Sequence, residues 1–171
     1  MYLLMLKLAL ELTGLKPMPD ARSKGWIYVL IQVIVIGLIL VFSCRDINTF
    51  EVKSINSIIG ITIVVIGLIL ALLSFIDFGQ IVTPNPVPLQ NYTLKTAGMY
   101  KYIRHPIYSS VLFMLLGVVI LSQSMSGLVL WFIGLFFIAF KTRFEEEQLI
   151  LKFPEYPEYS KRTKKLIPFI Y

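Results

Sequence analysis

Long apolar runs separated by short polar segments dominate the chain. Residues 26–44, 55–76 and 106–140 contain no charged side chain. A helix needs about 20 apolar residues to cross the hydrocarbon core of a bilayer, so each of the first two runs predicts one span. The third run is too long for one span, and a polar patch at residues 122–127 predicts a turn within it. We therefore predict a helical hairpin with helices over 107–121 and 128–140.

The first residues allow two interpretations. Residues 2–15 are apolar apart from Lys7, Glu11 and Thr13. Lys7 and Glu11 are four positions apart and share one face of a helix. The pattern fits an amphipathic helix at the membrane surface, and it fits a short first span that buries the charged pair equally well. A cleaved signal peptide is not expected, because Lys7 interrupts the apolar stretch.

Composition supports a membrane protein. Hydrophobic residues make up 57% of the chain and charged residues 15%, whereas a soluble domain carries about 25% charge. Spanning segments must satisfy their own backbone hydrogen bonds, which favours helices. The sequence thus predicts an all-α integral membrane protein with four to five transmembrane helices in a single membrane domain, 1–171. Within it we distinguish N-terminal helices over 1–80 and a cofactor-binding half over 81–171. Cys44, the single cysteine, excludes an intramolecular disulfide, and we expect no metal site.

Loop charges predict the orientation. Thirteen lysine and arginine residues fall within 16–25, 77–105 and 141–171, against two within 45–54. Four spans place the first three regions on one side, which the positive-inside rule assigns to the cytoplasm. We therefore predict a multi-pass protein with a cytoplasmic C-terminal tail. Because the positive charge follows topology, no nucleic-acid partner is expected.

Two polar stretches, residues 98–108 and 141–165, contain the side chains that could take part in catalysis or ligand binding. They flank the predicted hairpin at its cytoplasmic ends. In the first, Arg104 is either a topology charge or a clamp for an anion, and His105 is either an interface residue or a ligand contact. In the second, the acidic residues at 145–147 form either a solvated helix end or a carboxylate site that faces inward. A hairpin brings both stretches together, so the residues alone predict a small membrane protein with a cytoplasmic polar pocket.

The two stretches also match a known pattern. Residues 98–108 read Gly-x-Tyr-x-x-x-Arg-His-Pro-x-Tyr, and the hairpin is followed by Glu-Glu-x-x-Leu at 145–149 and Phe-x-x-Tyr at 153–156. With a terminal Ile-Pro, this order resembles the isoprenylcysteine carboxyl methyltransferase family. Phospholipid N-methyltransferases share the plan. The resemblance covers residues 85–168, half of the chain, and the earlier helices match only in hydropathy.

The resemblance implies S-adenosylmethionine as the methyl donor and assigns roles by position. The implied cofactor-binding residues are Asn85, Tyr92, Thr93, Leu94, Lys95, Tyr100, His105, Pro106, Tyr108 and Glu145. The candidate catalytic residues are Arg104, His105 and Glu146. The family places an arginine for the substrate carboxylate where this chain has Lys141, and Arg143 follows two residues later. Both are therefore candidate substrate-binding residues.

The predicted function is S-adenosylmethionine-dependent methyl transfer to a lipophilic acceptor. The leading acceptor is a carboxylate on a prenylated or lipid-like substrate, and a lipid amine is the nearest variant. An NADPH-dependent reductase of the sterol type is a second enzyme class, since the basic tail at 161–165 would suit the extra phosphate. A helical scaffold that docks on anionic lipid is a third interpretation. The expected partners are the lipophilic substrate and membrane lipids, and no obligate protein partner is inferred.

Overall fold

The structure, a computed structural model, describes residues 21–46, 55–79, 83–88 and 93–167. The long helices in these ranges are α1 (Ala21–Asp46), α2 (Ile55–Phe78), α3 (Pro106–Ser122) and α4 (Met125–Lys152), followed by a short α5 (Tyr156–Arg162). A 3₁₀ turn at Gly98–Lys101 precedes α3. Within the described ranges the chain forms no strand, so the all-α prediction is confirmed. Residues 2–15 lie outside these ranges.

Three of the described helices are long and apolar enough to cross a membrane. They are Lys24–Arg45, Ile55–Phe78 and Met125–Lys152. The predicted helices at 26–44 and 55–76 are therefore confirmed. The fourth, α3, has 17 residues and a length of about 25 Å, shorter than a typical hydrocarbon core. The cytoplasmic orientation and the division of the chain at residue 80 stay predictions.

The hairpin turn is tighter than the sequence suggested. Gln123 adopts a left-handed backbone conformation with φ 53° and ends α3. The Ser124 hydroxyl then accepts a hydrogen bond from the Gly127 amide at 2.9 Å, which caps α4. This cap starts α4 at Met125, three residues before the predicted boundary. At its other end α4 continues beyond Phe140 to Lys152, so the acidic stretch belongs to the same helix as the apolar run.

Small residues bring α2 and α3 into backbone contact. The buried residues of α2 include Ser57, Gly60, Gly67 and Ser74, whose spacing places them on one face. On α3, a Cβ at Gly117 would lie 2.8 Å from the carbonyl oxygen of Gly60. Glycine and serine allow this close approach, as they do in other membrane helix pairs. The pairing fixes the position of α3, and with it the loop that precedes it.

The remaining contacts make α3 the central helix. Ile39 of α1 packs with Leu115 and Val119 of α3 in one buried cluster. The indole of Trp131 on α4 donates a hydrogen bond to the Leu112 carbonyl at 2.9 Å. Outward-facing side chains of α1, α2 and α4 are mostly large and aliphatic and are exposed, as expected for surfaces that face lipid.

The segment after α5 folds back onto the start of α3. The Arg104 amide donates to the Lys164 carbonyl at 2.8 Å, and the Lys164 amide donates to the Tyr102 carbonyl at 3.0 Å. The His105 amide donates to the Lys165 carbonyl. Leu166 follows and is buried with Leu112 and Ile138. These bonds hold the loop before α3 in the conformation that forms the site.

Candidate active site

A cavity of about 240 Å³ lies where the start of α3, the polar part of α4 and α5 meet the loop 83–88. Tyr100, His105 and Glu145 share it, although they come from different elements. The predicted site residues that line the cavity are Asn85, Leu94, Lys95, Tyr100, Arg104, His105, Pro106, Tyr108 and Glu145. The hairpin therefore does bring the two polar stretches together.

The other predicted site residues lie elsewhere. Thr93 is exposed and does not belong to the cavity lining. Glu146 and Lys141 are buried behind the cavity wall. Arg143 lines a different cavity on the outer side of the hairpin. Tyr92 lies outside the described residues.

Glu145 presents its carboxylate to the cavity. Tyr108 donates a hydrogen bond from its hydroxyl to Oε2 of Glu145 at 2.8 Å. Nδ1 of His105 lies 3.8 Å from Oε1 of the same carboxylate. The His105 and Tyr108 rings stack with centroids 5.7 Å apart. The result is a carboxylate beside two aromatic rings, an arrangement that suits a cationic ligand.

Glu146 has a different environment, although it is the next residue. Its side chain is 2% exposed, and Oε1 accepts a hydrogen bond from Nε of Arg104 at 2.7 Å. Oε2 lies 2.8 Å from the ammonium of Lys165, and Nε2 of His105 lies 3.3 Å from Oε1. Both carboxylate oxygens are occupied, and the residue does not line the cavity. Glu146 therefore joins α4 to the loop before α3 and to residues 163–167 after α5, which we call the returning segment.

Arg104 is held on its other side by carbonyl groups. Its Nη1 donates to the carbonyl of Ser160 at 2.9 Å and to the carbonyl of Thr163. The guanidinium thus links Glu146 to the end of α5. A topology charge alone would lie in solvent, whereas this side chain is 8% exposed.

Lys141 is buried, and its ammonium has three neighbours. Nζ donates to Oε1 of Gln32 on α1 and to the carbonyl of Pro84 at 3.0 Å. It also lies 4.9 Å from the ring centroid of Tyr108. The hydrogen bond from Lys141 to the Pro84 carbonyl therefore holds the loop 83–88 against α4. The Asn85 side chain bends this loop, because its Oδ1 accepts a hydrogen bond from the amide of Val87 at 2.9 Å.

Two tyrosines from the segment after α4 complete the wall. Tyr159 donates a hydrogen bond from its hydroxyl to the Tyr100 carbonyl at 2.6 Å. Tyr156 is 1% exposed, and its hydroxyl has no hydrogen-bond partner in the part of the chain that the structure describes. Burial raises the pKa of both phenols above the usual value. Both therefore remain protonated donors at neutral pH and do not serve as bases.

The raised pKa values of Tyr156 and Tyr159 predict an alkaline limit to stability. The unfolded chain ionises its tyrosines near their ordinary pKa of about 10, while the buried phenols keep their protons. The free energy of unfolding should therefore fall as pH rises above about 10, since the unfolded state then binds fewer protons.

Thermal unfolding midpoints measured against pH test this expectation. The decline should be shallower for Tyr159→Phe than for the wild type, because one buried ionising group is gone. Tyr102→Phe is the matched control, since that ring is 53% exposed, and it should leave the slope unchanged. Equal slopes for all three proteins would contradict the assignment of a raised pKa to Tyr159.

Sequence reasoning missed several residues of the cavity. Gln32 is the one amide side chain in the uncharged run 26–44, and a polar residue within a span is a signal for a functional position. Tyr156 entered only as part of the Phe-x-x-Tyr motif, and neither it nor Tyr159 was assigned a role, because tyrosines are common at membrane interfaces. Apolar lining residues such as Phe78 and Val111 carry no signal that separates them from ordinary core positions.

Comparison with known proteins identifies a family to which the chain is similar. A model of the phospholipid methyltransferase family matches residues 55–155, which include α2, the loop with Arg104 and His105, and the whole hairpin. No curated protein matches the chain significantly. The phospholipid methyltransferases share the plan of the isoprenylcysteine carboxyl methyltransferases that the motifs resemble, and the narrower resemblance stays a prediction. The chain belongs to the phospholipid methyltransferase family, whose members are membrane methyltransferases that act on lipid-like substrates.

Proposed function

We propose that this protein methylates the amine of a membrane lipid, with S-adenosylmethionine as the donor. The observation that carries the proposal is the cavity shared by Tyr100, His105 and Glu145 at the polar end of an apolar hairpin. Membership of the phospholipid methyltransferase family supports the lipid acceptor.

The contacts of Lys141 favour an amine over a carboxylate as the acceptor. A carboxylate substrate needs a free cation to hold it, and the two candidates were Lys141 and Arg143. Arg143 lines a different cavity, which leaves Lys141 for this role. Its ammonium is instead buried against Gln32, Pro84 and the Tyr108 ring. Removing it from these partners would leave their oxygens unsatisfied, which is costly in a buried setting. O-methylation, the leading expectation from the sequence, is therefore the less favoured chemistry.

The residues of the cavity fit the donor. S-adenosylmethionine supplies a methyl group on a positively charged sulfur. Glu145 and the Tyr108 ring offer negative charge and a π face for a cation. The unpaired hydroxyl of Tyr156 is a buried donor with no partner among the described residues, and such groups are rare unless a ligand or water satisfies them.

His105 is suited to take the proton that a lipid ammonium must lose before its nitrogen can attack the methyl group. Glu146 lies 3.3 Å from Nε2 of His105, so neutral His105 carries its proton on Nε2 and leaves Nδ1 as an acceptor. Nδ1 of His105 faces the Glu145 carboxylate, with 3.8 Å between Nδ1 and Oε1. A proton that moves from the lipid ammonium to Nδ1 frees the nitrogen lone pair for attack and creates an imidazolium between two carboxylates, which stabilise its charge. Positioning supplies the rest of the catalysis.

Glu145→Gln tests the donor site. An interaction with a charged group contributes about 1.5–3 kcal/mol, so the variant should bind S-adenosylmethionine, which carries the positive sulfur, about 10- to 100-fold more weakly than the wild type. The measurement is isothermal titration of the purified protein in detergent. Glu155→Gln, at an exposed position after α4, is the control and should bind like the wild type. Equal loss in both variants, or tight binding of NADPH in place of S-adenosylmethionine, would overturn the proposal.

A second experiment identifies the bond that forms. Membranes are incubated with donor labelled in its methyl group, and the labelled lipid is treated with mild base. We expect the label to remain on the lipid headgroup as a stable amine. Release of the label as volatile methanol would reveal an ester and favour the carboxylate acceptor.

A further inference from the structure

A second cavity runs along the outer side of the hairpin. It has a volume of about 530 Å³ and is walled mainly by large apolar side chains of α3 and α4. Those that define it best are Leu112, Phe113, Leu116, Trp131, Leu135 and Phe136. From Trp131 to Arg143 it follows α4 for about 18 Å, at 1.5 Å per residue. We call this cavity the hairpin groove.

One charged residue lies at the polar end of the hairpin groove. Arg143 lines it, its side chain is exposed, and no ion pair joins it to the described residues. Its neighbour on the same helix, Lys141, is buried and fully occupied. A guanidinium forms paired hydrogen bonds with phosphate oxygens. The groove thus combines an apolar channel within a membrane helix pair with an anion-binding group at one end.

The hairpin groove is separate from the candidate active site. The two cavities have no lining residue in common. Tyr108 faces the active site, while Ser109, the next residue, faces the groove. The Ser109 hydroxyl donates a hydrogen bond to the Leu166 carbonyl, and Leu166 and Ile167 of the returning segment line the groove as well. Glu145 and His105 line the active-site cavity and not the groove, so a lipid that fills the groove does not contact them.

From this arrangement we infer that the hairpin groove binds one glycerophospholipid of the bilayer. An acyl chain lies against Leu112, Leu116 and Leu135, and the phosphate pairs with Arg143. The bound lipid is an accessory molecule and not the methyl acceptor. Only the apolar channel and the free guanidinium carry this inference, so it does not rest on methyl transfer.

Native mass spectrometry in detergent, with added phosphatidylglycerol, tests the site. We expect the wild type to retain one phospholipid per chain. Arg143→Gln should weaken phosphatidylglycerol binding about tenfold or more, and Ala139→Trp should block the channel with bulk. Arg162→Gln is the matched control, because Arg162 is also exposed but belongs to α5, and it should retain the lipid. Thermal unfolding midpoints establish that each variant is folded.

Equal retention by the wild type, Arg143→Gln and Ala139→Trp would overturn the inference. So would an equal loss in Arg162→Gln, since that result would indicate attraction by net charge alone. Binding of S-adenosylhomocysteine should be the same in every variant. If S-adenosylhomocysteine fails to bind even the wild type while phosphatidylglycerol binds as expected, the proposed function is wrong. The inference that the hairpin groove binds a phospholipid is then still supported.

Discussion

Replacing Glu146 with leucine is expected to destabilise the protein by about 3–5 kcal/mol, because it leaves buried cations without their partner. Arg104 and Lys165 both contact this carboxylate, at 2.7 and 2.8 Å, and both side chains are largely buried. The returning segment, which contains Lys165, should detach when the contacts of Glu146 with Arg104 and Lys165 are lost. Denaturant unfolding in detergent measures the change, and proteolysis after Lys164 and Lys165 reports the detached segment.

A second glutamate–lysine pair provides the control. Glu158 and Lys161 lie 2.5 Å apart, but their side chains are 62% and 58% exposed. Exposed pairs contribute about 0–1 kcal/mol, so Glu158→Leu should have little effect. If the two variants lose similar stability, burial of the Glu146 cluster does not determine its contribution.

Replacing Gly117 with leucine is expected to separate α2 from α3. A Cβ there would lie 2.6 Å from a methyl group of Val64 and 2.8 Å from the Gly60 carbonyl oxygen. A side-chain methyl can rotate away, but backbone atoms of a helix cannot. Overpacking of this kind costs about 1–3 kcal/mol, and we expect the upper end. The loop before α3 should be displaced as well, so binding of S-adenosylhomocysteine should fall together with the unfolding midpoint.

Gly37→Leu is the matched substitution for this test. A Cβ at Gly37 on α1 would meet nothing within 4 Å. The same glycine-to-leucine change should therefore leave stability within about 0.5 kcal/mol of the wild type. A loss at Gly37 as large as that at Gly117 would show that helix propensity or lipid exposure, and not close packing, explains the result.

The helices could be predicted from sequence because each depends on a local property. An uncharged run of the right length is sufficient to indicate α1 and α2, and the polar patch around Gln123 indicates the hairpin turn. This hairpin turn brings the stretch with His105 near the stretch with Glu145. Helix ends were less accurate, since the cap at Ser124 and the continuation of α4 to Lys152 depend on individual hydrogen bonds.

The separate environments of neighbouring residues could not be predicted. Glu145 and Glu146 are adjacent and chemically identical, yet only Glu145 lines the cavity. The difference arises because Glu146 turns toward Arg104 and Lys165, and Lys165 belongs to a segment that folds back from later in the chain. Gln32 and Lys141 are likewise 109 positions apart. No local pattern encodes such contacts, and the roles assigned to these residues stay proposals.

The long-range bonds of Arg104 also set an order of events during biosynthesis. Its carbonyl partner Thr163 is 59 positions later in the chain. At about 5–20 residues per second, the ribosome needs several seconds to add that stretch. During this interval α2 and α3 can pair, but the pocket lacks one wall. The cavity wall that Tyr156 and Tyr159 provide is therefore absent while the earlier membrane helices assemble, and the cavity is complete only after the later segment emerges.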